Sequence, residues 1–267
     1  MTVETTVAAP AARRRLSLRE RDRILSIASP IGLLLIWEIA ARAHFIDTRF
    51  FPAPSSVLAL LIEMLKSGEL LTHTWASMQR LFWGIIIGGI PALVLGIVMG
   101  LNRTIRALID PIIAATYPIP KSSILPLALL IFGLGESSKI FMVAIGVFFP
   151  VAINATTGVL EINKIYLDVG RNYKADRWNM FWTIALPGAL PVIMTGFKLG
   201  IGIGLILIAI AEMIGAKSGL GFLIWSAWET FAVEQMYVGL FMIALIGFTL
   251  TVALNELERV IIPWKAS

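Results

Sequence analysis

DVGRNYKADRWNMFWTIALP, residues 168–187, is a polar island between two apolar stretches, Lys139–Leu160 before it and Leu190–Met213 after it. Either flank is long enough to cross a bilayer, which takes about 20 mainly apolar residues. A polar segment joining two spans has to sit in water, since its backbone and charged groups find no partners in hydrocarbon. Asp168, Arg171, Lys174 and Asp176 crowd its first half, Arg177 and Trp178 follow, and Leu186-Pro187 turns the chain into the next span. The segment is predicted to be a helical handle outside the membrane, and what grips it is the functional question.

Composition agrees. Of 267 residues, 58% are hydrophobic and 15% charged, against about 45–50% and about 25% in soluble domains. The chain reads as an all-α polytopic membrane protein. With no cysteine, disulfides, thiol catalysis and cysteine metal sites are excluded. His44 and His73 lie far apart, which argues against a histidine metal cluster. The net charge of +5 reads as a topology signal rather than a nucleic-acid footprint, because the basic residues are unevenly placed.

About six spans are expected: Ile24–Ala43, Ser77–Leu101, Ala107–Phe132, Ser138–Leu160, Leu190–Met213 and Tyr237–Ile261. Six spans put both termini on one side. With the N-terminus inside, fourteen basic residues fall in inner segments: Arg13, Arg14, Arg15, Arg19, Arg21, Arg23, Arg103, Arg106, Lys164, Arg171, Lys174, Arg177, Arg259 and Lys265. Only five fall outside: Arg42, Arg49, Lys66, Lys139 and Lys217. That bias marks the cytoplasmic face, so both termini and the island are expected there.

The domain reading follows. Residues 1–23 are a disordered, basic cytoplasmic tail; a signal peptide is disfavoured because the first apolar run starts late and Glu38 and Arg42 replace a small-residue cleavage site. Residues 24–50 hold the first span. Residues 51–76 are a periplasmic surface helix opened by Pro54 and Ser55, with Val57, Leu58, Leu61, Ile62 and Leu65 at helical spacing. Residues 77–264 form a five-span core containing the loop 161–187. A second outer loop, Gly215–Gln235, either serves the mouth of a path or a soluble partner, or is a connection whose Trp225 and Trp228 belong to an interfacial aromatic belt.

Pro118, Pro120 and Pro126 break the third span, with Lys121, Ser122 and Ser123 among them. Interior prolines free carbonyls, which at membrane depth must be buried in protein or line a watery route. Lys121 falls near the middle of this span, where a charge is a functional candidate by default. It faces a translocation path and favours anions, or it pairs with a carboxylate or snorkels. Gly196, Gly200 and Gly204 form a small-residue packing stripe on the fifth span. Lys198 is expected to snorkel inward. Glu212, before the reversal MIGAKSGLG, is placed on the path, and Glu38 points to a neighbouring helix or the outer interface.

The island's spacing is specific: Asp168-Val169-Gly170, then Lys174, then Ile184-Ala185-Leu186-Pro187. It resembles the EAA loop of permease subunits of ATP-binding-cassette importers. FPAPSSVL (51–58), LIDP (108–111), YPIPK (117–121), LPLALLIFGLGESSKIF (125–141), LPGALP (186–191) and AEMIGAKSGLGFLI (211–224) are similar to the branch that takes nitrate, sulfonate, taurine and bicarbonate. The resemblance runs from about Phe51 to Trp264. Two positions depart from the motif: Asp168 stands for its Glu, and Lys174 for the Gly that marks a turn between two short helices. Either the turn accepts a non-glycine residue or it is helical here. Tyr173, Ala175, Trp178, Phe181 and Trp182 fall on one stripe, which supports a coupling helix across Asn172–Trp182.

The resemblance implies a type I ABC importer with a MetI-like core, in the bacterial inner membrane. A cytoplasmic ATPase dimer grips the coupling helix between spans four and five, with Asp168, Arg171, Tyr173, Lys174, Ala175, Arg177, Trp178, Phe181 and Pro187 as the docking set. Closure of that dimer on ATP swings the spans. ATP and Mg bind the partner, because this chain has no G-x-x-x-x-G-K-[ST] phosphate loop; it carries no cofactor and is no enzyme. Its other partners are a second permease copy, a homodimer being simpler than a heterodimer, a periplasmic or lipid-anchored solute-binding protein, and membrane lipids. No nucleic acid is expected. The alternative is an ion-coupled secondary transporter, which calls for inverted repeats and paired intramembrane carboxylates.

Overall fold

A computed structural model of the chain describes residues 18–264, apart from a few side chains, those of Arg171 and Arg177 among them. The expected tail, residues 1–23, lies largely outside the described residues.

The first unit ends at Ser56. It contains α1 (Leu18–Arg42), which covers the first expected span. Near its end Glu38 is fixed within the unit, accepting from Arg42 Nε at 2.5 Å, Ser55 N at 2.9 Å and Ser55 Oγ at 2.7 Å. The helix α2 (Pro54–Ser67) follows. It stops sooner than the surface helix expected to residue 76: Gly68 adopts φ 81, and α3 (Glu69–Leu101) begins at once.

Three long helices make the core of the second unit: α3, α6 (Glu136–Leu160) and α9 (Leu186–Met213). Small residues set their spacing. Gly84 faces Val143, Gly88 faces Ala144, Gly96 faces Ala152 and Gly100 faces Val159, so α3 and α6 run parallel. A Cβ on Gly88 would lie 2.2 Å from Ala144 O, so only glycine permits this approach. Gly146 meets Leu207, Gly200 meets Val147, Gly196 meets Pro150 and Gly158 meets Ala189, so α9 is antiparallel to α6. The stripe expected on the fifth span is therefore a packing surface. Leu81, Val143, Val147, Val151 and Ile208 fill the space between the helices.

Because α3 and α6 are parallel, the chain between them must return the length of the core. It does so through α4 (Arg103–Thr116), a 3-10 turn at Lys121–Ile124, and α5 (Leu125–Phe132). The two arms are bent by 89°. Pro118 and Pro120 sit at the bend, as their lost N–H groups require. Pro126, expected to break the span, instead opens α5 within its first two positions, where the missing donor is harmless.

Beyond α6 the chain forms α7 (Lys164–Asn172), a turn, α8 (Arg177–Asn179) and a π-helical stretch Met180–Ala185 that runs into α9. The expected outer loop holds a helix, α10 (Leu220–Glu229), followed by α11 (Val233–Ile261). Lys198 of α9 pairs with Glu258 of α11 rather than snorkelling. Among the described residues four helices are long and apolar enough to cross a membrane, with the bent pair as a fifth if counted as one span.

Candidate functional site

The two ends of the three-helix core differ in chemistry. At one end four charges meet: Arg80 of α3, Glu136 and Lys139 of α6, and Glu212 of α9. Arg80 Nη1 donates to Glu212 Oε1 at 2.8 Å and to Ser218 O at 2.7 Å. Its Nε and Nη2 form a fork on Glu136, at 2.5 and 2.7 Å. Glu212 is wholly buried and also accepts from Ser77 Oγ at 2.8 Å and Gly221 N at 2.9 Å. Lys139, 1% exposed, donates to the carbonyls of Leu134 and Gly135 at 2.7 and 3.1 Å. Two cations and two anions leave the cluster formally neutral, the condition under which buried charge is tolerated.

The reversal MIGAKSGLG is shaped around this carboxylate. A Cβ on Gly219 would lie 2.3 Å from Glu212 Cδ, and the residue adopts φ 124. Glycine is needed there on both counts. The sequence singles out Glu212 as a path residue and not as a member of an ion-pair cluster, and it gives no sign of Arg80, whose partners are 56 and 132 residues away.

Lys121 lies at the bend between α4 and α5. Its Nζ donates to Thr116 O, Tyr117 O and Ile119 O at 2.9–3.0 Å. It also lies 4.1 Å from the centroid of the Phe149 ring. Pro120 cannot donate to Thr116 O, which accepts instead from Ile119 N at 3.2 Å and from the ammonium, whose charge suits the C-terminus of α4. Ser122 and Ser123 are exposed beside it. Lys121 and Glu212 thus have separate sets of hydrogen-bond partners.

The opposite end carries the polar island, and the single helix expected over Asn172–Trp182 is replaced by two. Lys174 adopts φ 53, and Ala175 N donates to Gly170 O at 2.9 Å. A left-handed residue with a six-to-one bond across it is the Schellman way of closing a helix. Here it closes α7 with lysine where glycine is usual. Asp176 opens the next helix, accepting from Asn179 N at 2.8 Å. Gly170 lets α7 fold against Met180 and Ile184; a Cβ there would lie 2.6 Å from Ile184 Cδ1. The stripe of apolar residues therefore spans a corner, not one helix face.

That corner is rich in exposed rings. Tyr173 and Trp178 are 85% and 68% exposed, and Tyr166, Val169 and Trp182 are exposed too. Trp178 and Trp182 pack edge-on at 5.5 Å, and Phe181 meets Trp182 at 5.2 Å. Asp168 is exposed, whereas Ala175 and Pro187 are half-buried. A cavity of about 190 Å³ opens near this end between α3, α4 and α6, with Arg106 and Asp110 on its wall.

Among the described residues, four helices long and apolar enough to cross a bilayer mark a membrane protein. Residues 92–266 match the family model described as the binding-protein-dependent transport system inner membrane component. The chain is 36% identical over 259 residues to the taurine transport system permease protein TauC of Escherichia coli, covering 94% of each. It is 34% identical to the putative aliphatic sulfonates transport permease protein SsuC of the same organism, over 88% of this chain and 90% of that one. It is 29% identical to the nitrate import permease protein NrtB of Synechocystis, over 86% of each. A chain of the methionine ABC transporter MetNI, solved in inward-facing conformations, shares the fold: TM-score 0.53 and 20% identity, over 70% of this chain and 93% of that one.

The chain therefore belongs to the inner-membrane components of binding-protein-dependent transport systems. It is the permease subunit of an ABC importer, a transport component and not an enzyme; ATP hydrolysis belongs to a partner subunit. No cluster of potential metal ligands is present among the described residues.

Proposed function

We propose that the permease imports a small sulfonate or similarly compact anion, with taurine as the leading example, driven by a separate ATPase that binds ATP and Mg. The likeness to the taurine and sulfonate permeases supports the substrate class; the observation that carries the coupling to an ATPase is the exposed aromatic corner formed by α7, Lys174 and α8. Exposed rings on a fixed turn are the kind of surface that lays into a groove on a partner. Tyr173, Trp178, Phe181 and Trp182 contribute apolar area. Asp168, Arg171, Lys174 and Arg177 contribute charge, and Ala175 and Pro187 shape the corner.

The positive-inside bias of the sequence supports a cytoplasmic corner, with both termini on that side. The charge cluster at the other end then faces outward, where a solute-binding protein arrives. Two copies of the chain around a central route form the simplest assembly. Lys121, held by three carbonyls, supports that route as a fixed positive charge rather than as a mobile ligand. Ser122 and Ser123 offer hydroxyls beside it, and Arg106 adds a cation near the inner end. Glu212, neutralised by Arg80, shapes the outer end of the route.

The test is transport by reconstituted permease, ATPase and binding protein. Labelled taurine, methanesulfonate and nitrate are offered with ATP, with ADP, and with an imposed ion gradient alone. Uptake with ATP only, and preference for a sulfonate, is the expected result. Uptake driven by the gradient alone would make the chain a secondary carrier.

A further inference from the structure

We propose that Arg80 and Glu136 are positioning residues for import, setting the N-terminus of α10 at the outer face where the solute-binding protein acts. The proposal rests on the permease reading and its orientation.

The helix α10 has no side-chain cap of its own at Gly219. Its first three N–H groups are instead held from other helices. Gly219 N donates to His73 Nδ1 at 3.1 Å, Leu220 N to Ser77 Oγ at 2.8 Å and Gly221 N to Glu212 Oε2 at 2.9 Å. Those N–H groups are the donors that any helix start leaves open. The start of α10 is thus pinned by α3 and α9 while its flank packs on Val238 and Gly239 of α11, and Arg80 neutralises the carboxylate of Glu212 that holds Gly221 N.

Arg80 joins two unlike carboxylates. Its side chain is 4% exposed, that of Glu212 0%, and that of Glu136 64%. A guanidinium fork can hold both at once in fixed planes, which an ammonium cannot. Glu136 is therefore the surface end of a brace whose buried end caps α10. A protein landing on this face reaches Glu136 but not Glu212.

What α10 presents makes its position matter. Trp225 and Trp228 lie on its exposed side with ring centroids 4.8 Å apart. Just past its end Phe231 is held at φ 57 with its ring 84% exposed. Ala232 N donates across it to Ala227 O at 2.8 Å. A left-handed turn at a phenylalanine fixes the direction of that ring relative to α10, so a small rotation of α10 re-aims all three rings.

The experiment uses the reconstituted complex and binding protein saturated with taurine as the probe solute. It compares wild type with Glu136→Gln, Arg80→Lys and Glu136→Asp. In Glu136→Gln, Arg80 keeps Glu212 and Ser218, so the fold should survive. Co-purification with the ATPase and basal ATP hydrolysis should stay near wild type in that variant. The concentration of binding protein that half-saturates stimulated hydrolysis should rise by about tenfold in Glu136→Gln and Arg80→Lys, and Glu136→Asp should recover most of it. Half-saturation unchanged in Glu136→Gln overturns the proposal. So does loss of basal hydrolysis in step with stimulation, which would make the pair a plain structural brace. A wild type that ignores the binding protein removes the permease reading first, and this proposal with it.

Discussion

The two ends of the α3–α6–α9 core contrast in what they do with polar and aromatic groups. At the Arg80 end, three of four charges are buried, with Glu136 at the surface; the four side chains are engaged, and glycine admits the backbone up to the carboxylate. At the Lys174 end, rings stand in the open and Asp168, Lys174 and Asp176 lie on the surface. Buried ion pairs are costly to break and add little net stability when intact, so such a cluster specifies an arrangement. Exposed rings give little to the isolated chain and much to a complex. One end closes on its own charges, and the other leaves its rings open.

Breaking the buried end should give the largest effect. Glu212→Ala leaves Arg80 with only its exposed carboxylate and takes a capping group from α10. Loss of a buried partner costs about 3–5 kcal/mol, read as a lowered midpoint of thermal unfolding in detergent. Glu212→Gln keeps the shape but not the charge and should sit between that variant and wild type. A midpoint unchanged in Glu212→Ala would mean that the cluster is not holding this end together.

The next effect tests whether the core between the ends is rigid. Gly88→Ala forces a Cβ against Ala144 O, a backbone atom that cannot rotate away. Overpacking of this kind costs about 1–3 kcal/mol. Gly202→Ala, on the same element as the packing stripe but facing open space, should be neutral or slightly stabilising in a helix. Comparing the two in one melting series separates close approach from helix propensity.

Much of this architecture was legible in the sequence. Long apolar runs located α6, α9 and α11 within a few residues at their C-terminal ends, because apolar length is a strong signal in a membrane chain. Pro118 and Pro120 announced the bend, because a missing donor acts locally. What was hidden depended on distant partners. Arg80 is one charge in an apolar run, and nothing local reveals that residues 136 and 212 meet it. The helix α10 reads as loop because G-L-G at its start resembles a turn; its N–H groups are held from α3 and α9. Of the two alternatives open at Lys174, the turn on a non-glycine residue is the one formed; the rings recur at helical spacing and so favour one helix, which the turn interrupts.

At the exposed end the contrast predicts function without stability. Trp178→Ala and Tyr173→Ala remove rings that are mostly in solvent, so the melting midpoint should move by no more than about 0.5 kcal/mol equivalent. Co-purification of the ATPase should weaken by at least about tenfold, since truncating a central ring at an interface costs about 2 kcal/mol or more. Retained assembly in the double variant would take the docking role away from this corner.

The smallest effect is also the sharpest probe of the corner's shape. Left-handed backbone costs a non-glycine residue about 1–2 kcal/mol, so Lys174→Gly should relieve up to about 1 kcal/mol once the greater freedom of unfolded glycine is set against it. Lys174→Val should cost about as much in the other direction, since a branched Cβ is worse there than a straight chain. If the segment were instead helical through residue 174, the order would invert, because glycine is the poorer helix former. Hydrogen exchange at the Ala175 N–H, which closes the turn on Gly170 O, reports the same ordering locally: slowest in the glycine variant, faster in the wild type and fastest in the valine variant.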